Sequence, residues 1–435
     1  RPLKKKSFLR DFSWYVLGSF FPIFLGFIKT PVFTRHFTAH DFGELGVVSI
    51  GFNLLGVLFF SWIGSCLWRY FIKYKTQDKL DSLYSNLIFL YVVSILSLAL
   101  LTTILFHLST GEFQRTLIVL SFFQVVLNQW IVFHMILMRL ESRSRDYTAL
   151  QVTRALFSLS VSLILVFYFK MDISALIAGL IITDSLFSLY LWLKNPVGMN
   201  IISRLVNKKI LSTMLRYGTM GLVLNFCFLA ITYSDRYIIA LFYDLKAVGI
   251  YDQVYKISQL SIMALITIYF NTINPYLLNK LETEYESSMP LIRKYLYEYL
   301  LVGLPLVFYL SFFSKELSIL LLGTEFRTAY NMMPIVFFAT FLHGVANFYE
   351  LRLKFRNQLK KLSLLGIGSM TLNIVLNLLM IPSFGYQWAA YNTALTYGFM
   401  LLVLHFWNPG LILTLSNHLK LWAGMGLILI IQFYS

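Results

Sequence analysis

LYSNLIFLYVVSILSLALLTTILF, residues 83–106, decides the fold. No charged side chain interrupts the run. As a helix it rises about 36 Å, more than the roughly 30 Å of a bilayer's hydrocarbon core. A helix covering a soluble domain keeps one polar face, and this run has none. Similar runs recur along the chain with little between them. They fall at Phe12–Thr34, Phe42–Leu67, Leu117–Met138, Leu150–Phe169 and Ile173–Leu193, then at Met214–Leu241, Val248–Pro275, Tyr295–Phe313, Tyr330–Tyr349, Leu362–Ile381 and Gln387–Phe406. With Leu83–Phe106 they make twelve expected spans. A further apolar stretch, Leu419–Phe433, is short for a span and reads as a thirteenth or partial segment.

Composition agrees. The 435 residues are 58% hydrophobic and 13% charged, with mean hydropathy +0.70. Soluble domains carry about a quarter charged residues. Such a chain cannot cover itself with polar surface, so lipid is its solvent. The sequence therefore predicts an all-α polytopic membrane protein. The basic N-terminus, RPLKKKSFLR, precedes a run longer than a signal's apolar region, with no small-residue cleavage site, and reads as a retained first helix. Cys66 and Cys227 lie in apolar runs and read as small buried hydrophobes.

Net charge is +16, and its placement gives the orientation. With the N-terminus inside, 26 of the 36 Lys and Arg residues fall on the inner side and seven on the outer. The asymmetry alternates connection by connection, as the positive-inside rule requires. The charges mark topology, and no nucleic-acid motif accompanies them. Lys29, Arg154 and Lys256 remain within expected helices.

The longest inner connection divides the chain. KNPVGMNIISRLVNKKILST, residues 194–213, sets Ile201, Ile202, Leu205 and Val206 at helical spacing against Arg204, Lys208 and Lys209. It reads as an interfacial amphipathic helix or a basic loop. The expected organisation is a six-helix lobe over 1–193, the linker 194–213, a second six-helix lobe over 214–407 and an apolar segment over 408–435. A weak internal repeat supports two halves. Phe42-Gly43, opening the second helix, matches Val248-Gly249, opening the eighth, at a shift of 206.

Charges inside spans are costly and are functional candidates by default. Asp184 lies eleven residues into the sixth run, or about 16 Å deep. It would bind a coupling proton or sodium ion, or pair with a cation. Asp252 and Lys256, four apart, share a helix face as an ion pair would. Asp235-Arg236 sits near the outer end of the seventh helix, and the repeat sets Lys29 opposite Asp235. Facing one cavity, these five would form a partly cationic chamber; otherwise they are local salt bridges. Arg139, Arg154 and Arg216 extend that chamber inward or anchor the helices at the interface.

The sequence contains no Walker A, HExxH, CxxC or GxSxG pattern. ATP hydrolysis, a zinc protease site and an esterase elbow are therefore not indicated. No metal or organic cofactor is expected. Short outer loops argue against a membrane-embedded transferase or polymerase.

SDRYIIALFYDLKAVGIYDQVYKISQL, residues 234–260, and KTPVFTRHFTAHDFGELGVVSI, residues 29–50, carry a family pattern. The chain resembles the polysaccharide-exporter branch of the multidrug/oligosaccharidyl-lipid/polysaccharide exporter superfamily. The resemblance implies two six-helix lobes related by a pseudo-two-fold axis around a central cavity, working by alternating access. It implies a flippase, not an enzyme, moving an undecaprenyl-pyrophosphate-linked oligosaccharide such as an O-antigen or capsule repeat unit. It further implies an inner-membrane monomer working beside other polysaccharide-assembly proteins. Asp235, Arg236, Gly249 and Tyr251, with Phe42 and Gly43, match family positions. The expected substrate-binding cations are Lys29, Arg236, Lys256, Arg216 and Arg154. Asp184, Asp235 and Asp252 are expected to pair charges or carry the coupling ion. A cation-coupled multidrug exporter of the same fold is the alternative, but it should favour acidic residues, whereas Lys29, Arg236 and Lys256 favour an anionic substrate.

Overall fold

The computed structural model describes residues 5–194, 208–283, 288–355 and 358–407. Apart from short connections these are helical, with no strand among the described residues. Helix α1 is Lys5–Thr34, α2 Ala39–Thr76, α3 Leu80–Leu108, α4 Glu112–Leu140, α5 Ser144–Tyr168 and α6 Ala175–Lys194. Then follow α7 Lys208–Phe242, α8 Leu245–Thr283, α9 Ser288–Phe312, the short α10 Ser314–Leu321, a 3-10 turn Thr324–Met332, α11 Met333–Phe355, α12 Leu359–Phe384 and α13 Trp388–Trp407. Pro275 and Pro305 lie inside α8 and α9 without ending them.

Ten of the described helices are long and apolar enough to cross a membrane. This is a multi-pass membrane protein. Two others, α8 and α13, are as long but less apolar. The first carries Asp252 and Lys256; the second carries Asn392 and His405. The linker at 195–207 and the stretch Leu419–Phe433 lie outside the described residues, and α7 begins six residues before the expected Met214.

By contact the residues group into two compact units. The first holds the described residues up to Leu25, with Ala39–Ala240 and Asp244–Gly249. The second holds Gly26–Thr38, Leu241–Tyr243 and the described residues from Ile250 onward.

Within the first unit, α2, α3 and α4 bury one stripe each. Phe60, Ile63, Leu67 and Phe71 of α2 meet Leu83, Leu87, Leu90 and Leu98 of α3, with Val125 and Leu137 of α4. The spacings of three and four keep each set on one helix face. The opposite face of α3 is also apolar: Phe89, Val92, Val93, Leu96, Leu100 and Ile104 are all exposed. Water would not tolerate that patch, whereas lipid does. Cys66 and Cys227 are buried and unbridged, as expected.

The repeated glycines meet in this unit. A methyl group on Gly43 would lie 1.8 Å from the Leu245 carbonyl oxygen, and one on Gly249 1.8 Å from that of Ala39. The starts of α2 and α8 thus touch backbone to backbone, which only glycine at both positions permits. Gly249→Ala is expected to destabilise the protein by about 1–3 kcal/mol, the usual overpacking cost. Thermal unfolding in detergent measures it, and an unchanged midpoint would show that the contact yields freely.

In the second unit, the rings of Tyr269, Phe270, Tyr299, Phe341 and Phe348 stack across α8, α9 and α11. A polar ladder joins α12 and α13. Asn392 donates to Asn377 (2.9 Å), Asn377 to Asn373 (3.1 Å) and Asn373 to Thr396 (3.2 Å), all fully buried. Such side chains bond helix to helix where no water competes. The C-terminal end of α1 is held in this unit as well. Arg35 donates to the Leu320 carbonyl at the end of α10 (2.8 Å), and Gly323 N–H donates to Thr34 Oγ1 (3.0 Å).

Candidate functional site

Three sets of embedded charges stand out, two in the first unit and one in the second. The first set joins α4, α5 and α6. Arg154 Nε lies 2.7 Å from Asp184 Oδ1 and its Nη2 2.8 Å from Oδ2, a two-pronged pair. Nη2 also donates to Asn128 Oδ1 at 2.8 Å. Asp184 is wholly buried and the Arg154 side chain 15% exposed. The planar fork of arginine fits both carboxylate oxygens, so this charge is neutralised in place. Of the two roles open to Asp184, pairing with a cation is the one this geometry displays.

The second set lies on α7. Arg236 Nη1 donates to Asp235 Oδ1 (2.7 Å) and to the Thr232 carbonyl (2.6 Å), and the Arg236 backbone N–H donates to the same carboxylate (2.9 Å). Its guanidinium also lies over the Tyr233 ring. Both side chains are fully buried. Neighbouring residues point in different directions on a helix, so this pair closes by the arginine folding back along its own turn.

The third set lies in the second unit. Lys256 Nζ is 2.6 Å from Asp252 Oδ2, the pair that the four-residue spacing predicts. Asp252 is fully buried and also accepts from Gln253 Nε2 (3.1 Å), while the Lys256 side chain is 45% exposed. Helix α1 packs beside this point: a methyl on Gly26 would lie 3.2 Å from Leu260 Cδ1. One helical turn from that contact stand Lys29 on α1 and Lys256 on α8. Lys29 Nζ lies over the Phe33 ring at 5.9 Å. Among the described residues it has no carboxylate within 4.0 Å. Two lysines thus stand on neighbouring helices, and Asp252 pairs with Lys256. Like charges held together inside a membrane protein are costly, and an anion would relieve them.

Of the other expected residues, Arg139 donates to the Tyr147 hydroxyl and lies over its ring. The Arg216 side chain lies outside the described positions. Asn128 beside Arg154 and Phe33 beneath Lys29 carry no charge, so a search of the sequence for embedded charges passes over both. The four-residue spacing of Lys29 and Phe33 was the available signal for the latter. No group of metal-ligating side chains occurs among the described residues.

A family model described as polysaccharide biosynthesis protein matches residues 8–281, well over half the chain. The chain belongs to the polysaccharide biosynthesis protein family. Both stretches that carried the resemblance, 29–50 and 234–260, lie inside the match. Solved structures share the fold of this polysaccharide biosynthesis protein. The lipid II flippase MurJ, in an inward closed conformation, superposes with a TM-score of 0.71 at 14% identity, over 97% of this chain and 91% of that one. An outward-facing multidrug resistance MATE family transporter of the MOP superfamily gives 0.60 at 13% identity, over 93% and 95%. A MOP superfamily transporter from Pyrococcus furiosus Vc1 (DSM3638) gives 0.60 at 12% identity, again over 93% and 95%. At these identities the likeness is one of fold. No curated protein sequence matches the chain.

Proposed function

We propose that this polysaccharide biosynthesis protein is a flippase that carries an undecaprenyl-pyrophosphate-linked oligosaccharide, an O-antigen or capsule repeat unit, from the cytoplasmic to the outer face of the inner membrane. The observation that carries this reading is that Lys29 and Lys256 stand on packed neighbouring helices, Lys256 against Asp252 and Lys29 over Phe33 with no carboxylate within 4.0 Å among the described residues. A pyrophosphate brings negative charge to that place. At an effective dielectric of 20, an ion pair 4 Å apart gains about 4 kcal/mol. The buried pairs of Arg154 and Arg236 already have carboxylates against them, so in this reading they shape the protein more than they grip the ligand. The same excess of cations weighs against export of organic cations.

The reading includes a cytoplasmic N-terminus, two six-helix halves divided at 193 and 214, and no chemical step on the substrate. A coupling ion, a proton or sodium, belongs to it as well. Asp184 would serve that ion only by releasing Arg154. The test is a strain lacking the gene. It is expected to accumulate the complete lipid-linked oligosaccharide on the cytoplasmic face of the membrane, measured by accessibility to an impermeant glycosidase in spheroplasts and in inverted vesicles. Accumulation on the outer face, or an unchanged distribution, would contradict the proposal.

A further inference from the structure

Helix α2 is continuous from Ala39 to Thr76 but not uniform. At Val57–Ser61 it makes one π-helical turn, between Gly56 and Trp62, which both have ordinary helical backbone. Such a turn interrupts the regular ladder of backbone hydrogen bonds. No proline lies in the helix to account for it. Side-chain donors reach its backbone: the Phe59 carbonyl accepts from Ser94 Oγ of α3 (2.8 Å) and from Trp62 Nε1 (2.9 Å). Beside the turn lies a crevice of about 220 Å³, lined by Phe60, Ser61 and Gly64 of α2, Tyr91 of α3, and Gln129 and Phe133 of α4. Ser61 Oγ is buried with no hydrogen-bond partner among the described residues. Protein interiors hold few such voids and few such hydroxyls. The two halves of α2 are held by different elements. In the first half, Gly43 meets Leu245 at the start of α8, and Tyr237 Oη of α7 donates to the Val47 carbonyl (2.9 Å). In the second half, Ile63, Cys66, Leu67 and Phe71 are each at most 2% exposed, fixed in the core. The turn is where these two attachments meet. The other π-helical turn, Ile164–Tyr168, ends α5, so no further helix follows it to be moved.

We infer that the turn at Val57–Ser61 is a hinge. The first half of α2 swings on it, into the space beside Ser61, while the second half stays in the core. A hinge is a few residues that absorb the change in φ and ψ. Two features suit this turn to that task. Its ladder is already interrupted, so bending there breaks fewer backbone bonds than elsewhere in the helix. The hydroxyl of Ser94 can rotate to follow the Phe59 carbonyl, as a rigid ladder cannot. The inference rests on the transport reading for its purpose, since a carrier must change shape, but the motion itself is measured without cargo.

The test is double electron–electron resonance on the full-length protein in nanodiscs. Spin labels at His40, near the start of α2, and Leu108, at the end of α3, report the first half; labels at Ile72 and Phe89 report the second, and all four positions are exposed. The wild type is expected to show two distance populations for the first pair and one for the second. Ser61→Leu fills the crevice and removes the unpartnered hydroxyl. It should unfold no earlier than the wild type, yet show one population for the first pair and translocate about tenfold more slowly. Ser94→Ala removes one donor to the Phe59 carbonyl and should change the ratio of the two populations. One population for the first pair in the wild type, equal movement of both pairs, or two populations persisting in Ser61→Leu would overturn the proposal. If Ser61→Leu fails to fold, the two wild-type label pairs decide. A wild type that shows these populations but translocates no lipid-linked oligosaccharide would keep the hinge and contradict the flippase reading.

Discussion

Lys29→Glu is expected to lower translocation of the lipid-linked oligosaccharide at least about 100-fold while leaving the amount of inserted protein unchanged. The substitution turns two cations and one acid into one cation and two acids. A pyrophosphate that gained attraction from both lysines would then meet a carboxylate where Lys29 stood. The loss of one favourable contact and the gain of one repulsion each amount to several kcal/mol in a poorly solvated place. Lys29 packs over Phe33 and has no acidic partner among the described residues, so its replacement strands no buried charge. Lys29→Arg keeps the charge and should retain most of the activity. Proteoliposomes containing a fluorescent undecaprenyl-pyrophosphoryl saccharide, with a membrane-impermeant quencher outside, measure the rate. Wild-type rates for Lys29→Glu would remove this residue from the mechanism.

Asp184→Asn is expected to destabilise the protein by about 3–5 kcal/mol. Arg154 presents two nitrogens to Asp184, and the carboxylate is fully buried. Removing its charge leaves a guanidinium inside the helix packing with only Asn128 as a neutral partner. Replacing both, as in Arg154→Met with Asp184→Leu, should recover most of the loss, because well-packed apolar residues often substitute for a buried pair without cost. Thermal unfolding in detergent separates these outcomes. If Asp184→Asn unfolds like the wild type and instead loses its dependence on an ion gradient, Asp184 is the coupling carboxylate and the pair opens during transport.

The membrane fold was legible because a span is a local property of sequence. The run 83–106 declares itself, and the apolar face opposite its buried stripe is lipid-facing surface that no soluble protein would expose. Helices α8 and α13 were harder, since Asp252, Lys256 and Asn392 dilute their hydropathy, yet the rhythm of runs and basic clusters still placed both. The ion pair at Asp252 and Lys256 was legible because four-residue spacing fixes a shared face. The Arg154–Asp184 pair was not, although both residues were singled out, because thirty residues and a turn separate them and no local rule aligns α5 with α6. The π-helical turns at Val57–Ser61 and Ile164–Tyr168 left no sequence signal. The matched glycines Gly43 and Gly249 were visible as a weak repeat, but only coordinates show their backbones in contact.

Binding of undecaprenyl pyrophosphate to the purified protein, compared with undecaprenol, tests the Lys29–Lys256 anion site most directly. Isothermal titration in detergent is expected to show the pyrophosphate bound at least about tenfold more tightly than the alcohol in the wild type, with that preference lost in Lys29→Gln and Lys256→Gln. Equal affinity for pyrophosphate and alcohol in the wild type, or a preference that survives both substitutions, would contradict it.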